Sequence, residues 1–242
     1  MKQPTDKREK QEKIVSMFDE IASTYDVTNR ILSMGIDKSW RKKACDKTLE
    51  LLERSEGLTV LDVACGTGDM LQWWRDRAER KGAKIGRFIG VDPSEGMLEV
   101  AKKKVDFADF VVAKAQEMPL EGETADILSI SYGIRNVVDR QEAIDEFYRV
   151  LKPGGMVVIL EFTKREERGL KGRVVDFYMH NILPTLGGLV SRNYAAYKYL
   201  PDSIEGFLTT DMLRNELETA GFTVRHVQPF SMGISTLLIA QK

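Results

Sequence analysis

Leu58–Asp69, LTVLDVACGTGD, is the stretch from which the rest of the chain can be read. An apolar, β-rich run (Leu58, Val60, Leu61, Val63) leads into Gly66-Thr67-Gly68, and Asp69 then opens a helical pattern, MLQWWRDRAER. Strand, glycine turn and helix in this order begin a nucleotide-binding βαβ unit. The glycines permit a sharp turn and a close approach of backbone to ligand. A dinucleotide fingerprint needs a third glycine, and Leu71 stands in its place. Its bare N–H groups suit a pyrophosphate, whereas Asp69 follows this turn directly and Asp62 lies just before it.

Carboxylates at such a turn suit a cofactor with cationic groups. S-adenosylmethionine has two, an ammonium and a sulfonium, and no phosphate. Asp62, Gly66, Thr67 and Gly68 are therefore candidate cofactor residues. The next strand, RFIGVD, ends on Asp92 about 25 residues past the turn, where folds of this kind hold ribose hydroxyls. The plain alternative is a tight βα turn that binds nothing.

Outward from this unit, the 242 residues suffice for one sizeable α/β core. A formal net charge of −1 gives no global field to recruit nucleic acid or an anionic membrane. The start, MKQPTDKREKQEK, is too polar for a signal peptide, and no apolar run reaches membrane-spanning length. Cys45 and Cys65 lack metal or redox spacing, and no metal site is expected. Cys65 reads as a small packing residue. A reduced, cytoplasmic setting fits these features.

Before the first strand, helical spacing of Ile14, Met17, Phe18 and Ile21 predicts a helix over 7–23, and Trp40, Ala44, Leu51 and Leu52 predict a second over 38–53. This prelude is either a cover over the site or a packing extension. After the second strand, Ser94 caps a helix running to Val105. Phe110–Ala113 is a third strand, and the turn after it, from Lys114 and Ala115, runs past the adenine position in this kind of fold. Asp126–Ser131 is a fourth strand, delivering Ser131 through Asn136 to the carboxyl edge, where open α/β sheets bind ligands. A helix over 139–151, a buried strand over 156–162, a helix near 210–220 and edge strands over 222–230 and 233–240 follow. Residues 165–208 break the alternation with Val174, Val175, Phe177, Tyr178, Met179, Ile182, Leu183, Leu186, Leu189 and Val190. They read as a helical insertion, with a face that can wall an apolar substrate.

The organisation expected is thus a single domain, 1–242. It comprises an N-terminal helical extension (1–56), a cofactor-binding core (57–164), the insertion (165–208) and a C-terminal helix with edge strands (209–242).

Tyr25-Asp26, Asn29, Ser33, Gly35 and Trp40 form one signature. Gly133-Ile134-Arg135-Asn136-Val137 and His180 with Leu183-Pro184 add to it, as does the widely shared Arg149–Gly155. With these, the chain resembles the ubiquinone/menaquinone biosynthesis C-methyltransferases, nearly end to end. The resemblance implies a class I S-adenosylmethionine-dependent methyltransferase: Rossmann-like, with a mostly parallel seven-stranded sheet, helices on both faces and an insertion after the fifth strand. It carries cofactor contacts onto Thr67, Asp92, Lys114, Ala115 and Ser131. The chain departs from the family pattern at Asp37, where His is frequent, at Cys65 in the turn, and at Lys114, where Asn or Asp is frequent.

The activity implied is methyl transfer to a ring carbon of a reduced polyprenyl quinone, of benzoquinol or naphthoquinol type. The alternatives are a methyltransferase for another small apolar molecule, a nicotinamide-dependent oxidoreductase, and a protein that binds the cofactor without catalysis. A hydroquinol ring is nucleophilic, more so as phenolate, so a cation near the acceptor oxygen is required. Arg135 is the candidate; its competing reading is an ion pair with Asp139 or Glu142. Tyr25, Asp26 and His180 are candidate bases, beside a bound water. A tail that lives in the bilayer implies transient membrane-surface contact through the prelude helices or residues 174–190. The oligomeric state is open, a homo-oligomer included.

Overall fold

The computed structural model describes residues 4–165, 177–191 and 193–242. Three helices come first: α1 (Pro4–Ile21), α2 (Tyr25–Leu32) and α3 (Ile36–Leu51). The α/β alternation follows as β1 (Leu58–Val63), α4 (Asp69–Lys81), β2 (Ile85–Asp92), α5 (Glu95–Lys104), β3 (Asp109–Val112), β4 (Ala125–Ser131), α6 (Arg140–Val150) and β5 (Leu151–Glu161). A 3-10 turn, Ile134–Asn136, lies between β4 and α6. Beyond β5 come a π-helical turn (Tyr178–Ile182), α7 (Leu183–Ser191), α8 (Tyr194–Glu205), α9 (Thr210–Thr219), β6 (Thr223–Phe230) and β7 (Ser235–Gln241).

The seven strands form one sheet in the order β3-β2-β1-β4-β5-β7-β6. β1 to β5 run parallel, and β7 lies antiparallel between β5 and β6. The central strands are apolar on both faces because both are covered. On one side Leu61, Val63, Leu128, Ile130 and Ile159 pack against α6 and α9 residues such as Phe147 and Leu217. On the other, Val60, Ile127, Val158 and Leu160 pack with Trp40, Ala44 and Trp74 of α3 and α4. Crossovers from β1 run outward to β2 and β3 on one flank and then to β4 and β5 on the other. The crevice between β1 and β4 at the carboxyl edge is the topological switch point, where ligands bind in such sheets.

The strands fall within a few residues of their expected positions, and Ser94 caps α5 as expected, its Oγ accepting from Met97 N at 3.1 Å. Two differences matter. The stretch 25–32 is a separate helix, α2, set off from α1 by a turn at Ala22–Thr24. The insertion contains α7 and α8, with Pro184 in the first turn of α7, where a missing N–H costs nothing. Val174 and Val175 lie outside the described residues.

Candidate active site

At the end of β1 the backbone turns through three positive-φ residues, Ala64 (50°), Gly66 (53°) and Gly68 (79°). A side chain at Gly66 would meet nothing within 4 Å, so that glycine is there for its conformation and for the space it leaves. Its N–H donates to Asp92 Oδ2 at 2.8 Å, while Asp92 Oδ1 accepts from Ser94 N at 2.9 Å. One carboxylate at the end of β2 thus ties together the turns after β1 and β2. Burial pushes the Asp92 carboxyl up to about 6 against these two bonds.

These turns enclose a cleft of about 690 Å3, part of it open to solvent. Gly66, Asp92, Lys114, Ala115, Ser131 and Tyr25 all line it. α1 closes the side facing the sheet edge with Ile14, Val15 and Phe18. The Ser131 hydroxyl is buried without a hydrogen-bond partner among the described residues, which leaves it for a ligand. A mostly apolar cleft with a buried carboxylate and an unused hydroxyl fits a nucleoside carrying a cationic amino acid.

The other turn residues lie off the cleft, and here the expectation from sequence needs correction. Asp62 does not face the ligand space: it accepts from Ser129 Oγ at 2.6 Å, which in turn accepts from Trp74 Nε1 at 2.9 Å. Strand alternation turns its side chain to the α3–α4 face, and burial pushes its carboxyl up to about 7. Asp69 does not line the cleft either; its carboxylate is held by Arg30 of α2 and Lys104 of α5. Burial alone would raise it, but Lys104 and Arg30 hold it below the ordinary range. Thr67 Oγ1 donates to Asp26 Oδ1 at 2.6 Å, and Lys104 Nζ reaches Asp26 Oδ2 at 2.7 Å. Gly68 is the N-cap of α4. Asp26, a candidate base, is therefore engaged as an anchor. Of the carboxylates near the turn, Asp92 alone among these three meets the cleft.

The first two helices form a strap across the carboxyl edge, gripping the turns after β1, β2 and β4 with polar contacts. Lys7 pairs with Asp139 at 2.6 Å, and Gln11 Oε1 accepts from Val138 N at 3.1 Å. Asp19 Oδ1 accepts from Ser94 Oγ and, at 3.0 Å, from Gly96 N. Asp26 holds Thr67, and Arg30 bridges Asp69 to Asp37. Asp37, where the family often has His, also accepts from Arg41 Nη1 at 2.8 Å and Ser33 Oγ at 2.7 Å. The covering role of the prelude is the one its contacts support. None of this was visible in the sequence, because the partners stand up to 132 positions apart.

Arg135 sits in the 3-10 turn after β4. Its Nη1 donates to Glu161 Oε1 at 2.6 Å and to Tyr132 O at 2.7 Å. The expected ion-pair partners, Asp139 and Glu142, are thus replaced by Glu161, a fully buried residue at the end of β5. Tyr25 feels burial, which raises its phenol, opposed by Arg135 and Arg41 nearby. Asn136, delivered to this edge after β4 as expected, lines the cleft, and Tyr199, missed from sequence, donates its Oη to Asn136 Oδ1 at 3.1 Å. His180 falls in the π-helical turn, and its side chain lies outside the described residues. Cys65 is buried, with its thiol pushed up by burial, as befits a packing residue.

The fold and cleft define a class I S-adenosylmethionine-dependent methyltransferase architecture. Solved structures share it: a SAM-dependent methyltransferase from Aquifex aeolicus aligns with a TM-score of 0.53 and 21% identity, covering 84% of this chain and 97% of that one. The [4+2]-cyclase SpnF aligns at 0.60 and 19%, covering 83% and 80%, so the fold alone does not dictate a reaction. Sequence narrows it. The model of the ubiE/COQ5 methyltransferase family matches residues 6–242, and the chain belongs to that family. The ubiquinone/menaquinone biosynthesis C-methyltransferase UbiE of Campylobacter jejuni is 52% identical over 234 residues, 97% of this chain and 99% of the relative. The demethylmenaquinone methyltransferase of Thermus thermophilus is 37% identical, covering 93% of this chain and 100% of the relative.

Proposed function

We propose that this protein transfers a methyl group from S-adenosylmethionine to a ring carbon of a reduced polyprenyl quinone precursor, a demethylmenaquinol or the corresponding benzoquinol of ubiquinone synthesis. The observation that carries the reading is the convergence of family-signature residues from α2 and the β4 turn, Tyr25 and Asn136, on the wall of the cofactor cleft, with Arg135 beside them. The cofactor, when bound, supplies an electrophilic methyl group on a sulfonium. Gly66, Asp92, Ala115 and Ser131 would hold its nucleoside and amino acid parts.

The chain must then orient the acceptor ring and favour its phenolate. Orientation of this kind can be worth about 7–11 kcal/mol. The Arg135 guanidinium stays charged and is suited to an oxyanion rather than to taking a proton. With Asp26 held by Thr67 and Lys104, the proton goes to Tyr25, to His180 or to a water. The direct test is anaerobic methylation of a short-chain demethylmenaquinol. Turnover is expected, and Arg135→Ala should retain S-adenosylmethionine binding while losing most of kcat. A panel of simple phenols methylated in preference to the quinol would overturn the assignment.

An apolar face supports delivery of a lipid-tailed acceptor. Val27, Ile31 and Met34 recur at helical spacing along α2 and its end, and all are exposed. Ile182, Leu186 and Leu189 repeat the spacing along α7, again exposed. The π-helical turn that leads into α7 is tied to α2 where Tyr178 Oη donates to Leu32 O at 2.7 Å. Paired stripes of this kind suit the boundary between headgroups and acyl chains. No described helix is long and apolar enough to cross a membrane. The proposed setting is the cytoplasm, with reversible contact at the inner membrane face.

A further inference from the structure

The residue that stands out beyond the cleft is Glu161. It is a carboxylate with 0% exposure at the end of a central strand, next to Thr236 of β7. An apolar residue would fill that place at lower cost, since burying an ion pair recovers its desolvation only with excellent geometry. The geometry here is specific. Oε1 accepts from Arg135 Nη1 at 2.6 Å and from Phe162 N at 2.7 Å, while Oε2 accepts from Arg135 N at 3.3 Å. Glu161 therefore grips both the side chain and the main chain of Arg135. α8 closes from the opposite side: Ser203 Oγ meets Arg135 Nε at 3.3 Å, and Tyr199 holds Asn136.

We propose that Glu161 is a positioning residue for methyl transfer: it fixes the buried Arg135 guanidinium behind the cleft wall formed by Tyr132, Gly133 and Asn136, and sets how much of its charge acts on the acceptor's oxygen. The inference rests on the quinol-methylating reading above. The pair Arg135–Glu161 carries no net charge, so an acceptor hydroxyl beside it meets an oriented dipole rather than a bare cation. The other ionisable groups facing this pair are Tyr25 of α2, Arg41 of α3, Tyr132 after β4 and Tyr199 of α8. Burial raises Tyr199, Arg135 lowers it and Glu161 raises it, so its phenol reports the balance directly.

Glu161→Gln keeps one acceptor oxygen for Phe162 N and Arg135 Nη1 while deleting the charge, and gives up the 3.3 Å bond from Arg135 N. The uncovered cation should favour the phenolate of the bound acceptor. The acid limb of the kcat–pH profile is therefore expected to move down by about one unit or more, with the Kd for S-adenosylmethionine changed by less than about twofold. A merely structural role would lower kcat equally at all pH values, and a superimposable limb would overturn the proposal. If wild type turns over no quinol, the functional reading fails by itself. Tyrosinate absorbance titration then judges Glu161 independently: Glu161 raises both Tyr199 and Tyr132, so Glu161→Gln should shift tyrosine titration to lower pH, and a Tyr199→Phe background should reduce that shift. No shift overturns the inference. Should Glu161→Gln fail to fold, Tyr199→Phe with Ser203→Ala releases the α8 half of the grip. A several-fold loss of kcat at unchanged cofactor Kd supports the positioning scheme, and an unchanged kcat refutes it.

Discussion

Gly133 and Asp62 show how single positions shape this site through what they pack against. A Cβ on Gly133 would lie 2.6 Å from Ala64 Cβ and 3.1 Å from Ile130 Cγ1, because the turns after β1 and β4 meet there. Gly133→Ala must push those turns apart. Overpacking of this kind costs about 1–3 kcal/mol, so a lowered Tm and a weakened Kd for S-adenosylmethionine are expected together. Asp62 and Asp92, pushed up to about 7 and about 6, make stability depend on pH. A carboxyl whose pKa rises on folding supports the fold while protonated, in full below the ordinary aspartate range. That support is lost as the pH climbs through about 6 to 7. Urea unfolding of the ligand-free protein should therefore show these two groups' support falling from about pH 4 to about pH 7, and Asp62→Asn should flatten that fall. An equal slope in both proteins would remove Asp62 from the account. At this scale the sequence was partly legible. Gly66, Asp92 and Ser94 could be read because their roles follow from local backbone geometry. The orientation of Asp62 and the neutralisation of Asp69 depend on residues from other elements.

The strap is the feature that matters at the level of elements. Its polar contacts are distributed over the turns after β1, β2 and β4 and the end of α5, and beside them Ile21 and Leu32 pack with Met97 of α5 and Ala196 and Tyr197 of α8. Arg30→Met would remove the bridge between Asp69 and Asp37 while keeping much of the apolar stem. Release of S-adenosylmethionine, followed by stopped-flow tryptophan fluorescence, is expected to quicken several-fold in this variant. The wild-type release rate should rise with salt more steeply than the variant's, since partly exposed pairs are screened. Equal release rates would mean that α2 does not gate the cofactor. β1, β2, β4 and α5 could be read from alternation, helical spacing and a cap. α2 is not legible as a helix by the same means: the first predicted helix ends at residue 23 and the next begins at 38. It spans only 8 residues, and its N-cap Thr24 makes no side-chain cap bond, so the local signal that divides two helices is absent.

For the molecule as a whole, the apolar stripes of α2 and α7 predict where it meets a lipid surface. Met34 is 86% exposed and Leu189 78%. Liposome flotation should carry the wild-type protein, at least with quinol present, and Leu189→Asp should weaken it while leaving cofactor binding intact. A protein that never co-floats, and that sizing shows to be a dimer through this face, would assign the stripes to a second copy instead. The sequence by itself determined the order of the strands and of the helices between β1 and β5, the cofactor turn and the family, because each rests on short-range periodicity or on a contiguous motif. Only the tertiary structure decided which acids face the cleft, what Arg135 is paired with, and that the prelude lies over the site. Those are contacts between residues far apart in the chain, and a one-dimensional pattern carries no distance between them.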